Sequence, residues 1–87
     1  MTEKRRPALC VHPGEHLVEE LDARGWTTVE LAERMGNWPI DQVAGVLAGE
    51  RDITQLFAWR LADALGTSAS MWLKLQQGWL EWRRVDG

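Results

Sequence analysis

The chain has 87 residues, 45% hydrophobic and 26% charged, the composition of one soluble globular domain and not of a disordered segment. No run approaches the roughly 18 apolar residues that would cross a bilayer, no apolar stretch follows the N-terminal charges to make a secretory signal, and the lone Cys10 cannot close an internal disulfide, so a cytoplasmic protein with no membrane contact is expected. The formal charge of −3 works against non-specific affinity for DNA, although Glu15, Glu19, Glu20 and Asp22 gather in one early segment and leave other faces less acidic.

Residues 1–11 hold Lys4, Arg5 and Arg6 before Pro7 and show no periodicity, the pattern of a flexible basic arm. It reads either as a solvated terminus or as an arm reaching DNA phosphate or the minor groove. The domain proper is expected over 12–87. His12, Glu15 and His16 spell H-x-x-E-H, which matches a metalloprotease zinc pattern. Pro13 and Gly14 place His12 at or before a helix start, and no further histidine exists, so no metal site, cofactor or catalytic residue is expected. Pro13 suits the first turn of a helix running to about Arg24, with Leu17, Val18 and Leu21 as its apolar face and Gly25 as its stop.

The segment from Thr27 to Gly49 organises the rest. Thr27 and Glu30 fit a capping box, Leu31, Ala32 and Met35 share one helical face, and Gly36 suits a left-handed residue at the helix end. Asn37 or Trp38 is expected to cap the next helix, with Pro39 in its first turn and Ile40, Val43, Val46 and Leu47 as its apolar stripe until Gly49. Two short helices about a tight bend fit a helix-turn-helix, and equally an ordinary helical hairpin in a small bundle. Thr54 is placed to cap a fourth helix patterned by Leu56, Ala58, Leu61, Ala62 and Leu65 and closed by Gly66. Ser68 then caps a last helix through Met71, Trp72, Leu75, Trp79 and Trp82, with Arg83 and Arg84 at the end the dipole prefers for bases. The fold class is therefore all-α, with five helices.

The segments HPGEHLVEELDARGW, ELAERMG, VLAGERDIT and ALGTSASMWLKLQ together resemble the HigA/VapI antitoxins, within the wider Xre/Cro helix-turn-helix family. The resemblance implies a lambda-repressor-like DNA-binding domain, a dimer on operator DNA, and a repressor of its own operon. A toxin partner, an RNA-cleaving protein, is a second expectation resting on the resemblance alone. Family members commonly carry glutamine where this chain has Thr28. Between Gly36 and Gly49 the chain holds one residue more than the usual pattern, which Trp38 is expected to absorb.

The expected reading face offers Asp41, Gln42, Ala44, Gly45 and Ala48, with no basic residue. Gln42 suits a bidentate contact to adenine, and Asp41 either accepts from cytosine or repels phosphate. Thr27 and Thr28 lie where hydroxyls and free amides suit phosphate, Thr27 being as well placed for capping alone. Arg34 and Arg51 flank the reading helix as backbone clamps, or else make surface ion pairs. Gly45 costs a helix interior roughly 1 kcal/mol relative to alanine. Trp79 and Trp82, on a heptad-like seam with Trp72 and Leu75, form a dimer or partner surface, or fold back on their own domain. Trp26 is expected to staple the first helix to the second, and Trp59 to be exposed. Two other readings compete with the repressor: a phage Cro-like regulator without a toxin, and a protein-interaction module on this fold that has lost DNA binding.

Overall fold

A computed structural model describes residues 11–86, and all of the expected 1–11 basic arm but its last residue lies outside the described residues. Five α-helices follow one another: α1 Pro13–Arg24, α2 Thr28–Arg34, α3 Ile40–Leu47, α4 Gln55–Leu65 and α5 Ala69–Asp86. Three begin on hydroxyl caps expected from the sequence. Thr27 Oγ1 accepts from the Glu30 amide at 3.1 Å, Thr54 Oγ1 from Phe57 at 3.2 Å, and Ser68 Oγ from Met71 at 3.1 Å. Gly25 and Gly66 end α1 and α4 in the left-handed conformation.

The start of α3 departs from expectation. Pro39 is itself the N-cap, with no side-chain cap bond, in place of Asn37 or Trp38. The reason lies in the turn: Gly36 and Asn37 both take positive φ, 83° and 60°, and the Trp38 amide reaches back to the Ala32 carbonyl at 2.9 Å. The chain is thus folded tightly onto α2 before α3 begins, and the carbonyl of Pro39 accepts from the Gln42 and Val43 amides at 3.1 and 3.3 Å.

The core joins Leu17 and Leu21 of α1, Leu31 and Ala32 of α2, Val43 and Val46 of α3, Phe57, Ala58, Leu61 and Leu65 of α4, and Trp72 and Leu75 of α5, with Met35 and Ile53 from the connections. Trp72 is completely buried, and its indole N–H donates to Thr67 Oγ1 at 2.9 Å, satisfying the one polar group so large a ring brings inside. Four residues assigned to apolar stripes from sequence stay largely outside: Val18, Ile40, Met71 and Leu56. Leu56 lies on the face of α4 opposite the buried one, where Phe57 takes the inward position with Ala58, Leu61, Ala62 and Leu65; Val18, Ile40 and Met71 lie at the margins of theirs. Trp59 is exposed, as its position beside Ala58 suggests.

The H-P-G-E opening has a mechanical explanation. His12 Nδ1 accepts from the Gly14 amide at 2.9 Å and so caps α1, and Pro13 takes the position after it. A Cβ on Gly14 would stand 2.0 Å from the Val46 carbonyl oxygen, so glycine lets the α1 start pack against α3. The His12 ring is buried and meets Trp79 edge-on, with centroids 5.6 Å apart. His12 therefore serves as a cap, and among the described residues no group of three or more His, Cys, Asp or Glu could hold a metal ion. No helix among them is long and apolar enough to cross a membrane.

Candidate nucleic-acid interface

The helix periodicity of about 100° per residue sets Asp41, Ala44, Gly45 and Ala48 opposite Val43 and Val46, which are buried. Asp41, Ala44 and Ala48 are exposed and Gly45 is partly covered. What covers it is Arg51. A Cβ built on Gly45 would lie 2.6 Å from Arg51 Cδ and 2.9 Å from Cγ, so the arginine stem crosses the outer face of α3 at the glycine. The backbone enforces this return, because the Glu50 and Arg51 amides both donate to the Gly45 carbonyl, at 2.8 and 3.1 Å. A helix with no base of its own thereby has a guanidinium laid along it.

The loop that carries Arg51 is fixed from behind. Gln76 of α5 is buried, and its Oε1 accepts from the Ile53 amide at 2.7 Å. Sequence reasoning takes Gln76 only as the end of a motif. The signal for its role is a polar residue following Leu75 on an otherwise apolar helix face.

Gln42, the residue expected to read adenine, is half-buried, and its Oε1 accepts from the Trp38 indole N–H at 3.1 Å. Trp38 in turn meets Phe57 edge-on at 5.7 Å. Trp38 thus seats its indole on the core and orients the Gln42 amide. Thr27 is engaged as a cap, while Thr28 lines a shallow hollow with Trp26 and Leu47, beside the end of α3. Arg34 lies with its guanidinium carbon 4.1 Å from the centroid of the Trp26 ring, and its Nη2 is 3.5 Å from Glu30 Oε2. Arg24 also approaches Trp26, at 5.5 Å, and ties α1 to the end of α4 by donating to the Leu65 carbonyl at 2.9 Å. Trp26 therefore joins α1 to α2 between two cations, with Arg34 held against its ring and beside Glu30.

One exposed side chain escapes the sequence reading. Ile40, the first residue of α3, is 49% exposed and borders an open hollow of about 330 Å³ with Val29, Ala32, Trp38 and Pro39. An apolar side chain there is suited to a thymine methyl group. At the far end of α5, Trp79 and Trp82 stack at 5.9 Å, both half-buried, with Arg83 at 5.9 Å from the Trp79 ring. The His12–Trp79 contact draws this end of α5 onto its own domain.

Burial pushes the His12 pKa below the ordinary imidazole value, and Arg83 acts in the same direction. The Arg51 backbone, Asp52 and Glu15 oppose the shift without cancelling it. Neutral His12 is the form that caps, since a protonated Nδ1 has no lone pair for the Gly14 amide.

The helix-turn-helix family model matches residues 17–72. Among solved structures, an addiction module antidote protein of the HigA family from Coxiella burnetii is 35% identical, with 87% of this chain and 83% of that one covered and a TM-score of 0.82. A putative antidote protein of a plasmid maintenance system from Nostoc punctiforme is 36% identical, over 93% of this chain and 85% of that one, with a TM-score of 0.84. A Pseudomonas aeruginosa protein in complex with its 18-base-pair operator DNA is 28% identical, over 97% of this chain and 89% of that one, with a TM-score of 0.83. No curated protein matches the sequence. The chain belongs to the helix-turn-helix family, among DNA-binding regulators of the HigA antitoxin type.

Proposed function

We propose that the protein is a sequence-specific repressor that binds the operator of its own operon as a homodimer, and that it neutralises an RNA-cleaving toxin made from the same operon. The observation that carries the DNA-binding part is the outer face of α3: three exposed residues with no role in the core, and Arg51 laid across the fourth. The Thr27–Thr28 end of α2 and the Arg51 loop supply phosphate contacts that set the register, and Gln42, Asp41 and Ile40 meet base edges. The similarity to a protein bound to its operator supports this docking. Two-fold pairing doubles the half-site contact, and the half-buried Trp79 and Trp82 rings are the proposed surface for it. Exposed Glu15, Glu19 and Asp22 on α1 offer a negative surface suited to a basic toxin. The cytoplasm is the compartment in which all of these partners meet.

The test is binding of the purified protein to the DNA just upstream of its own gene and to a scrambled duplex, at low and near-physiological salt. Preference for the upstream sequence that persists at the higher salt is expected. Equal loss on both duplexes would refute autoregulation and leave the protein-interaction reading.

A further inference from the structure

We propose that Gly45 is a slot for Arg51: by lacking a Cβ it lets the arginine stem lie flat across α3, so that the loop after the reading helix delivers the cation the helix itself lacks. The inference rests on the DNA-binding reading above and assigns within it a positioning role to a residue that touches no DNA.

Three observations converge on it. The collision that a Cβ would cause is with Cδ, Cγ and Nε of one side chain, at 2.6, 2.9 and 3.2 Å, and no backbone atom outside α3 and the adjoining residues stands nearer than these. The loop is bent into place by two amide bonds to the Gly45 carbonyl and anchored by Gln76 through Ile53, so the arginine does not reach this face by chance of side-chain mobility. Finally, the rest of the outer face is Asp41, Ala44 and Ala48, an acid and two methyl groups, which leaves Arg51 as the strong donor positioned to meet a guanine edge or a phosphate. A glycine in mid-helix is otherwise a cost to α3 with nothing to offset it.

The experiment is a double-mutant cycle on operator binding with Gly45→Ala, Arg51→Ala and the pair, each checked for an unchanged helical spectrum and cooperative melt. Arg51→Ala is expected to weaken operator binding about ten- to hundred-fold. Gly45→Ala should weaken it in the presence of Arg51 and have no effect in its absence. Arg51→Lys keeps the charge and loses the planar fork, so partial recovery is expected. A drop of about 1 in the salt slope, uniform over sequences, assigns the guanidinium to phosphate, and relaxed preference at one base pair assigns it to guanine; both support the slot. Equal effects of Gly45→Ala in both backgrounds, or none in either while the parent protein still selects its operator, would overturn it and leave the repressor reading intact. Failure of the parent protein to select any operator would instead remove the reading on which the slot depends. Should Gly45→Ala fail to fold, the slot is structural and the proposal falls.

Discussion

Gly14 and Gly45 are both glycines inside helices where a Cβ would collide with something, and they differ in what it would strike. At Gly14 the obstacle is the Val46 carbonyl oxygen, 2.0 Å away and fixed in the backbone of a packed helix. At Gly45 it is the middle of an arginine side chain on the surface. The first glycine sets the spacing between α1 and α3, and replacing it must move backbone. The second sets only where one flexible cation lies. The same residue type thus serves the fold on one side of α3 and, by the slot proposed for Arg51, recognition on the other.

The comparison is broken most directly by Gly14→Ala. Forcing a methyl group into the α1–α3 contact should lower unfolding free energy by about 1–3 kcal/mol or more, as overpacking does, and denaturant titration will read it. An alanine tolerated there without loss would mean that α1 and α3 can part easily, and the distinction between the two glycines would disappear.

Gln76→Ala comes next. It leaves the buried Ile53 amide without its acceptor, a loss of about 1–3 kcal/mol. Because Ile53 ends the loop that carries Arg51, operator affinity should fall as well. A stability loss with unchanged affinity under folding conditions would show that Arg51 holds its place without support from α5.

His12 tests the Gly14 side through pH. Its folded pKa is lowered, so the unfolded chain binds the proton more readily than the native one. The stabilisation is therefore complete above the unfolded value of about 6.5 and is lost as pH falls through the lowered native pKa. His12→Asn retains a capping oxygen and cannot titrate, so its stability should hardly change over that window while the parent protein declines. The cap bounds the difference at about 0.5–2 kcal/mol. Parallel pH profiles for the two proteins would mean that the Nδ1–Gly14 bond is not what the proton disrupts.

Much of this architecture is legible in the sequence because it is written locally. Thr27, Thr54 and Ser68 announce caps, Gly25 and Gly66 announce stops, and the stripes in α1, α2 and α4 follow one helical period. What escapes are relations across the chain. The stripe places Ile40 inside because periodicity gives a direction but not the extent of the partner surface, and it takes Leu56 as a core residue where the period of Ala58, Leu61, Ala62 and Leu65 points to Phe57. Arg51 and Gly45 can each be singled out, yet nothing in their spacing says that one lies on the other, since this depends on the bend at Ala48–Glu50. The α3 start differs for a related reason: Asn37 favours a cap by composition, but its positive φ commits it to the turn.

The smallest effect is the most discriminating. Alanine is favoured over glycine in a helix interior by about 1 kcal/mol, so Gly45→Ala carries a stabilising contribution that Gly14→Ala cannot express against a fixed carbonyl. With Arg51 present, that gain is offset by lifting the arginine stem from α3, and the net change in unfolding free energy should lie between zero and about 1 kcal/mol. With Arg51→Ala nothing is displaced, and the full gain should emerge. Gly45→Ala alone therefore acts with opposite sign on the two properties: the substitution that weakens operator binding leaves the protein as stable as before or more so, the trade expected where a site departs from the local optimum of its helix. A destabilisation by Gly45→Ala in both backgrounds would place Gly45 with Gly14, as a glycine that α3 needs in order to pack.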